Sequence, residues 1–177
     1  MFGETHHAWL HAFRRNLFGY ACALCGDTAG AEDLYQEAVL RAMSAASVPD
    51  EARRFRVWMF RLTRNLWIDT LRSRRHHDAW SEEIASIDGE DRAQTGSEEI
   101  TVNRLAVRQA FTRLSKPHRD VLALVDIGGF SYDETAELLD VPRGTVMSRI
   151  SRARTALARQ LSDGPVVAMP LKRRGRA

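Results

Sequence analysis

Apolar side chains return at helical spacing along almost the whole chain, and few stretches alternate as strands do. That pattern restricts the fold to an all-α class. The clearest case is the stretch from Arg53, where Met59, Phe60, Leu62, Leu66, Trp67 and Leu71 fall on one arc of a helical wheel. The chain has 177 residues and is 44% apolar, enough for one ordinary domain or two small ones with real cores. The breaks decide for two. Gly26-Asp27-Thr28 and Ser47-Val48-Pro49-Asp50 divide a first block, 1–77, into helices over roughly 6–25, 29–45 and 53–76. Asp27 or Thr28 can cap the second of these. Residues 78–101 are rich in Asp, Glu, Gly and Ser, with Arg92 as their one arginine, and read as an acidic flexible linker. A second helical block follows over 102–162. The tail, 163–177, contains Gly164, Pro165, Pro170 and the basic run Lys172–Arg176, and reads as disordered.

Charge changes with segment. The net charge is only +3. Yet residues 53–75 hold eight arginines against Asp69 alone, and residues 142–162 hold Arg143, Arg149, Arg152, Arg154 and Arg159 with no acid. Two basic helices flanking an acidic spacer point to two separate nucleic-acid contacts. A GC-rich genome also favours arginine. The N-terminus has no signal-peptide pattern, no apolar run is long enough to span a bilayer, and two cysteines make no disulfide framework. A cytoplasmic setting fits these three observations.

The strongest local signal runs from Gly129 to Arg149. Ser131 and Glu134 form a capping box. Ala136 is small where a second helix must cross closely. Asp140 tolerates the turn conformation, and Pro142 opens the next helix without losing a needed N–H. Val146 and Ile150 face the first helix of the pair. Arg143, Met147, Ser148, Arg149 and Arg152 are then left on outward faces, as a helix entering a DNA major groove requires. A plain helical hairpin with a solvated basic face is the bland alternative. A bare helix-turn-helix also fits a DNA-binding regulator that never acts as a polymerase subunit.

In the helix from Arg53, the arc opposite the apolar one carries Arg61, Arg64, Asn65, Ile68, Asp69, Arg72 and Arg75, with Trp58 at its margin. Arginines for phosphates, flat groups for stacking and an amide for base edges suit single-stranded DNA. The competing reading is a solvated face with Asp69 paired to Arg72. For Arg53, Arg54 and Arg74, solvation or general phosphate attraction suffices. In the preceding helix, Glu32, Asp33, Gln36, Glu37 and Leu40 share a face. An acidic rim around an apolar residue serves a docking surface, and equally serves the helix dipole.

His7, His11, Cys22 and Cys25 do not make a zinc site, because the two pairs lie about 15 Å apart along one helix. Small core cysteines are the better reading, with a redox role as the lesser one. No nucleophile, base and orienting group assemble, and there is no Gly-rich phosphate loop. No enzyme activity, cofactor or metal is expected.

Leu17-Phe18-Gly19-Tyr20-Ala21 and Ala31-Glu32-Asp33-Leu34-Tyr35-Gln36-Glu37 come first. Trp58, Arg64-Asn65 and Asp69 follow. Gly144-Thr145-Val146, Ser148-Arg149 and Ser151-Arg152-Ala153-Arg154 come last. Together, in this order, they resemble a group IV, or extracytoplasmic-function (ECF), sigma factor of the sigma-70 family, over roughly residues 8–162. The resemblance implies a σ2 helical bundle and a σ4 helix-turn-helix domain joined by the linker. It implies that Asp33, Gln36 and Glu37 dock on the β′ clamp helices of core RNA polymerase, with the β flap as a further contact. It implies that Arg64, Asn65, Asp69 and Arg72 recognise and melt the −10 element, helped by the loop at about 46–55. The helix with Arg143, Gly144, Thr145, Met147, Ser148, Arg149, Ser151 and Arg152 would read the −35 duplex. An anti-sigma partner is a further family expectation. A sigma-like protein that mainly sequesters a partner is a second rival. Met147 departs from the Lys or Arg usual in the family, and a thioether packs against a thymine methyl instead of donating to guanine.

Overall fold

A computed structural model describes residues 2–78 and 106–162, with side chains described for 2–73 and 106–162. Among the described residues there are helices and no strands. Three helices build the first block: α1 (Glu4–Cys25), α2 (Thr28–Met43) and α3 (Ala52–Asp78). The second block holds α4 (106–112), α5 (Lys116–Leu122), a π-helical turn (Ala123–Ile127), α6 (Tyr132–Leu139) and α7 (Arg143–Ser162). The segment expected to be a linker, after Asp78, and the C-terminal tail lie outside the described residues.

The first three helices form because their apolar positions make stripes. Leu10, Phe13, Leu17, Tyr20, Ala21 and Leu24 are buried along α1 at spacings of three and four. Small residues dominate the buried face of α2, where Ala31, Ala38 and Ala42 flank Leu34 and let its neighbours approach closely. Asp27, not Thr28, caps α2: its carboxylate accepts from Gly30 N at 2.6 Å. On α3, Phe55, Met59, Phe60 and Thr63 are fully buried. Thr63 is a polar residue in that stripe, and its hydroxyl donates to the Met59 carbonyl at 2.9 Å. Phe60 stacks at an angle on Tyr20 and Phe13, and Phe13 on Phe55. Each such buried aromatic contributes about 1.5–3 kcal/mol from area alone.

In the second block the helix-turn-helix closes as its sequence dictates. Ser131 accepts from Glu134 N while Glu134 accepts from Ser131 N, the reciprocal cap. Asp140 takes the left-handed conformation, φ 54°, that ends α6. The Pro142 carbonyl accepts the first bonds of α7 from Thr145 and Val146. Val146, Ile150 and Ala153 then pack on Leu114, Val121 and Leu122 in a second core.

The two blocks are not separate bodies. Ala123, Leu124, Phe130 and Leu138 of the second block belong to the first block's core. The Phe60 and Phe130 rings meet edge to face at 4.7 Å. Gly19 lies where a Cβ would sit 2.8 Å from Ile127 Cγ2, so only glycine lets α1 pass the π turn this closely. A π turn displaces carbonyls from the regular ladder. Asn16 takes up one of them, donating to Ile127 O at 2.8 Å.

Candidate nucleic-acid interface

Three surfaces carry the residues that the sequence singles out. On α2, Glu32, Asp33, Gln36 and Glu37 are exposed, and Leu40 is 61% exposed, the most open large apolar side chain described. Leu40 therefore has no role in this chain's own core. Glu37 accepts from Arg41 at 2.8 Å, an exposed pair of small energetic weight. Asp33 and Glu37 face Asp69, Thr70 and Ser73 of α3 across a groove of about 550 Å³.

On α3, Arg61, Asn65, Asp69 and Arg72 are exposed, and Trp58 and Ile68 are half-buried. The Arg75 side chain lies outside the described residues. Asp69 and Arg72 approach at 3.6 Å, as the solvated-face reading expects. Arg64 departs from an outward placement. It is half-buried and donates Nε and Nη2 to Asp120 Oδ2, each at 3.1 Å. Burial pushes the Asp120 carboxyl up, and the Arg64 charge pulls it partly back. Arg53 is held by Glu134 at 2.9 Å and Arg61 donates to the Glu137 carbonyl at 2.8 Å. Arg56 donates to the Gly128 carbonyl and lies 4.5 Å from the Phe130 ring centroid.

On α7, Arg143, Gly144, Met147, Ser148, Ser151 and Arg152 are exposed, while Thr145 and Arg149 are half-buried. Met147 is 46% exposed and makes no part of either core. Arg143 pairs with Asp133 at 3.0 Å across the turn. Arg149 lines a cavity of about 430 Å³ between the blocks, together with Arg64, Trp67, Arg72, Lys116 and Asp120.

Sequence reasoning passed over Asp120, Phe130 and the π turn. Charge complementarity was the available signal: the arginine-rich 53–75 stretch faces acids at 120, 134 and 137. His7 and His11 lie far from Cys22 and Cys25, which are half-buried against the first core. Among the described residues no three His, Cys, Asp or Glu side chains group as metal ligands. Nor is any described helix long and apolar enough to cross a membrane.

A helix-turn-helix with an open second helix, joined to a three-helix bundle with a basic face, defines an all-α protein of the DNA-binding class. Residues 9–77 match the family described as Sigma-70 region 2, and residues 104–157 match Sigma-70, region 4. The ECF RNA polymerase sigma factor SigL of Mycobacterium tuberculosis is 36% identical over 151 residues, 83% of each chain. SigW of Bacillus subtilis is 31% identical over 160 residues, 85% of this chain and 86% of that one. The chain belongs to the ECF sigma factors of the sigma-70 family. Its fold is shared with RpoE of Bartonella quintana, solved in complex with the anti-sigma factor NepR: TM-score 0.73, 24% identity, 91% of this chain and 99% of that one. CnrH, solved with the cytosolic domain of CnrY, has a TM-score of 0.65 at 22% identity over 90% of this chain and 89% of that one.

Proposed function

We propose that the chain docks core RNA polymerase through α2 and reads a promoter with α3 and α7. The 1–77 block acts as σ2 and the 102–162 block as σ4. Exposed Leu40, rimmed by Glu32, Asp33, Gln36 and Glu37, is the single observation that carries the docking assignment. An apolar residue left open on a short helix and ringed by acids suits a partner with a basic rim and an apolar notch. The β′ clamp is the partner the family implies, with the β flap as the σ4 contact.

On α3, Arg61, Arg64, Arg72 and Arg75 meet phosphates of the −10 strand, Trp58 stacks, and Asn65 and Asp69 address unpaired base edges. Capturing unpaired bases offsets the cost of opening the duplex. On α7, Arg143, Gly144, Thr145, Ser148, Arg149, Ser151 and Arg152 hold and read the −35 duplex, and Met147 meets a thymine methyl. The chain supplies recognition, and the phosphoryl-transfer chemistry belongs to polymerase. An anti-sigma partner would act by covering the α2 and α3 surfaces.

Reconstituted transcription with core enzyme tests this reading. The expected result is promoter-specific initiation that disappears when Leu40→Arg blocks docking. A chain that binds promoter duplex but never binds core would instead be a helix-turn-helix regulator.

A further inference from the structure

His6, in the first turn of α1, reaches 43 positions along the chain to the loop between α2 and α3. Its Nε2 lies 3.0 Å from the Pro49 carbonyl oxygen, and its Nδ1 accepts from Gly3 N at 3.1 Å. A carbonyl only accepts, so Nε2 carries the proton and donates, while Nδ1 stays bare to accept. Both ring nitrogens are thereby committed, one to the start of α1 and the other to the loop.

The same ring sits among aromatics. Phe2 stacks on it at 5.4 Å, and Trp9 and Phe55 meet it edge-on at 5.3 and 5.2 Å. Phe55 is fully buried, and its ring stands 6.0 Å from that of Trp58, the half-buried tryptophan assigned above to base stacking. Apolar packing alone needs no imidazole here, since a phenylalanine supplies it as well. What the imidazole adds is the hydrogen bond to Pro49. Residues 45–51 belong to no helix. The His6 bond ties this loop down, together with Val48, which packs on the first core. One side chain thus braces the loop and, through Phe55, the ring of Trp58.

We infer that His6 is a positioning residue for −10 recognition: it fixes the 45–51 loop relative to Trp58 and so sets where an unpaired base is received. The inference rests on the assignment of α3 to the −10 strand. His6 itself touches no DNA. It holds the receiving elements in place before the strand arrives, so less freedom is lost on capture. Its loss should therefore appear as poorer choice among bases and not as weaker docking on core polymerase.

Two substitutions separate the hydrogen bond from the packing. His6→Gln places an amide nitrogen near the site of Nε2 and can still donate to Pro49. His6→Asn ends near the site of Nδ1, so it can accept from Gly3 N and cannot reach Pro49. Each full chain is assembled with core enzyme on promoters carrying 2-aminopurine at successive −10 positions, and on promoters with single −10 base changes. His6→Asn should lose the unstacking signal at one −10 position and lower the preference for the best base there by about three- to tenfold, the worth of one hydrogen bond. His6→Gln should restore both toward the parent. Core affinity and −35 duplex binding should match the parent in both variants. Equal behaviour of all three chains overturns the positioning role. So does an equal loss in both variants with an equal fall in the urea midpoint, which marks packing alone. A Trp58→Ala chain with intact −10 choice overturns the α3 assignment, and the positioning with it. If Trp58→Ala disturbs −10 choice and His6→Asn does not, the positioning alone fails.

Discussion

Helices α3 and α7 have similar sequences in outline: both are amphipathic, arginine-rich and poor in acids. Their circumstances differ. Arg53, Arg56, Arg61 and Arg64 of α3 are bonded to the second block. Met147, Ser148 and Arg152 of α7 stand open. A basic helical face therefore states which ligand a helix suits, not whether that face is available. Availability is decided by residues far away in the chain, and here by acids and carbonyls of α5 and α6 and by the Gly128 carbonyl between them.

Breaking the shared core should have the largest effect. Phe60 is fully buried and touches Tyr20, Phe13 and Phe130. Phe60→Ala should cost about 3–5 kcal/mol of stability, measured by urea unfolding. Because Phe130 and Leu138 belong to that core, both blocks should weaken together. Two separated transitions in the parent chain would show that the blocks fold independently.

The arginines of the two helices should then separate by function. Arg64→Ala should reduce promoter opening by about ten- to hundredfold, the worth of charge-assisted hydrogen bonds, and leave −35 duplex binding alone. Arg152→Ala should weaken duplex binding at every sequence and reduce the salt slope by about 1. If the two substitutions act alike, the division of labour is wrong.

Smaller effects sharpen the interface. The Tyr20 hydroxyl is buried beneath the Arg64–Asp120 pair without a hydrogen-bond partner among the described residues. Burial, then the Asp120 charge, holds the phenol well above the ordinary tyrosine range, so it stays protonated. Tyr20→Phe should leave thermal stability unchanged or raise it by about 1 kcal/mol, since an unsatisfied buried group is removed. Glu134 supplies the pH test. The Ser131 amide, with help from Arg53, holds its carboxyl below the usual 4.5. A lowered value in the folded state means a contribution that is complete above 4.5 and lost as pH falls through the lower folded value. The stability advantage of the parent chain over Glu134→Gln should shrink as pH falls through that window. Asp120 shifts in the other sense: burial raises its carboxyl, and the Arg64 charge pulls it partly back.

Local features were legible in the sequence because their causes are local. The apolar stripes of α1 to α3, the Ser131/Glu134 cap, the turn at Asp140 and the start of α7 after Pro142 depend on residues within a few positions of each other. Asp27 against Thr28 was open, because either side chain can cap. The joining of the blocks was not legible. Arg64 meets Asp120 across 56 positions, and Asn16 meets Ile127 across 111. The wheel also left out Phe55 and Thr63, which fall within the apolar arc: Phe55 packs on the Phe13 ring, and Thr63, a polar residue, is buried with its hydroxyl donating to the Met59 carbonyl. The π turn has no residue signature that marks it off from an ordinary helix end.

The central claim is that α3 and α7 read different elements. It is tested most directly by selecting promoters from a randomised library with the reconstituted holoenzyme, using the parent chain, Asn65→Ala and Met147→Arg. Asn65→Ala should relax base choice at −10 only. Met147→Arg should shift one −35 position from thymine toward guanine, a change of about 1–3 kcal/mol in discrimination. Unchanged preference in both variants, or a shift by either in the other's element, would contradict the account.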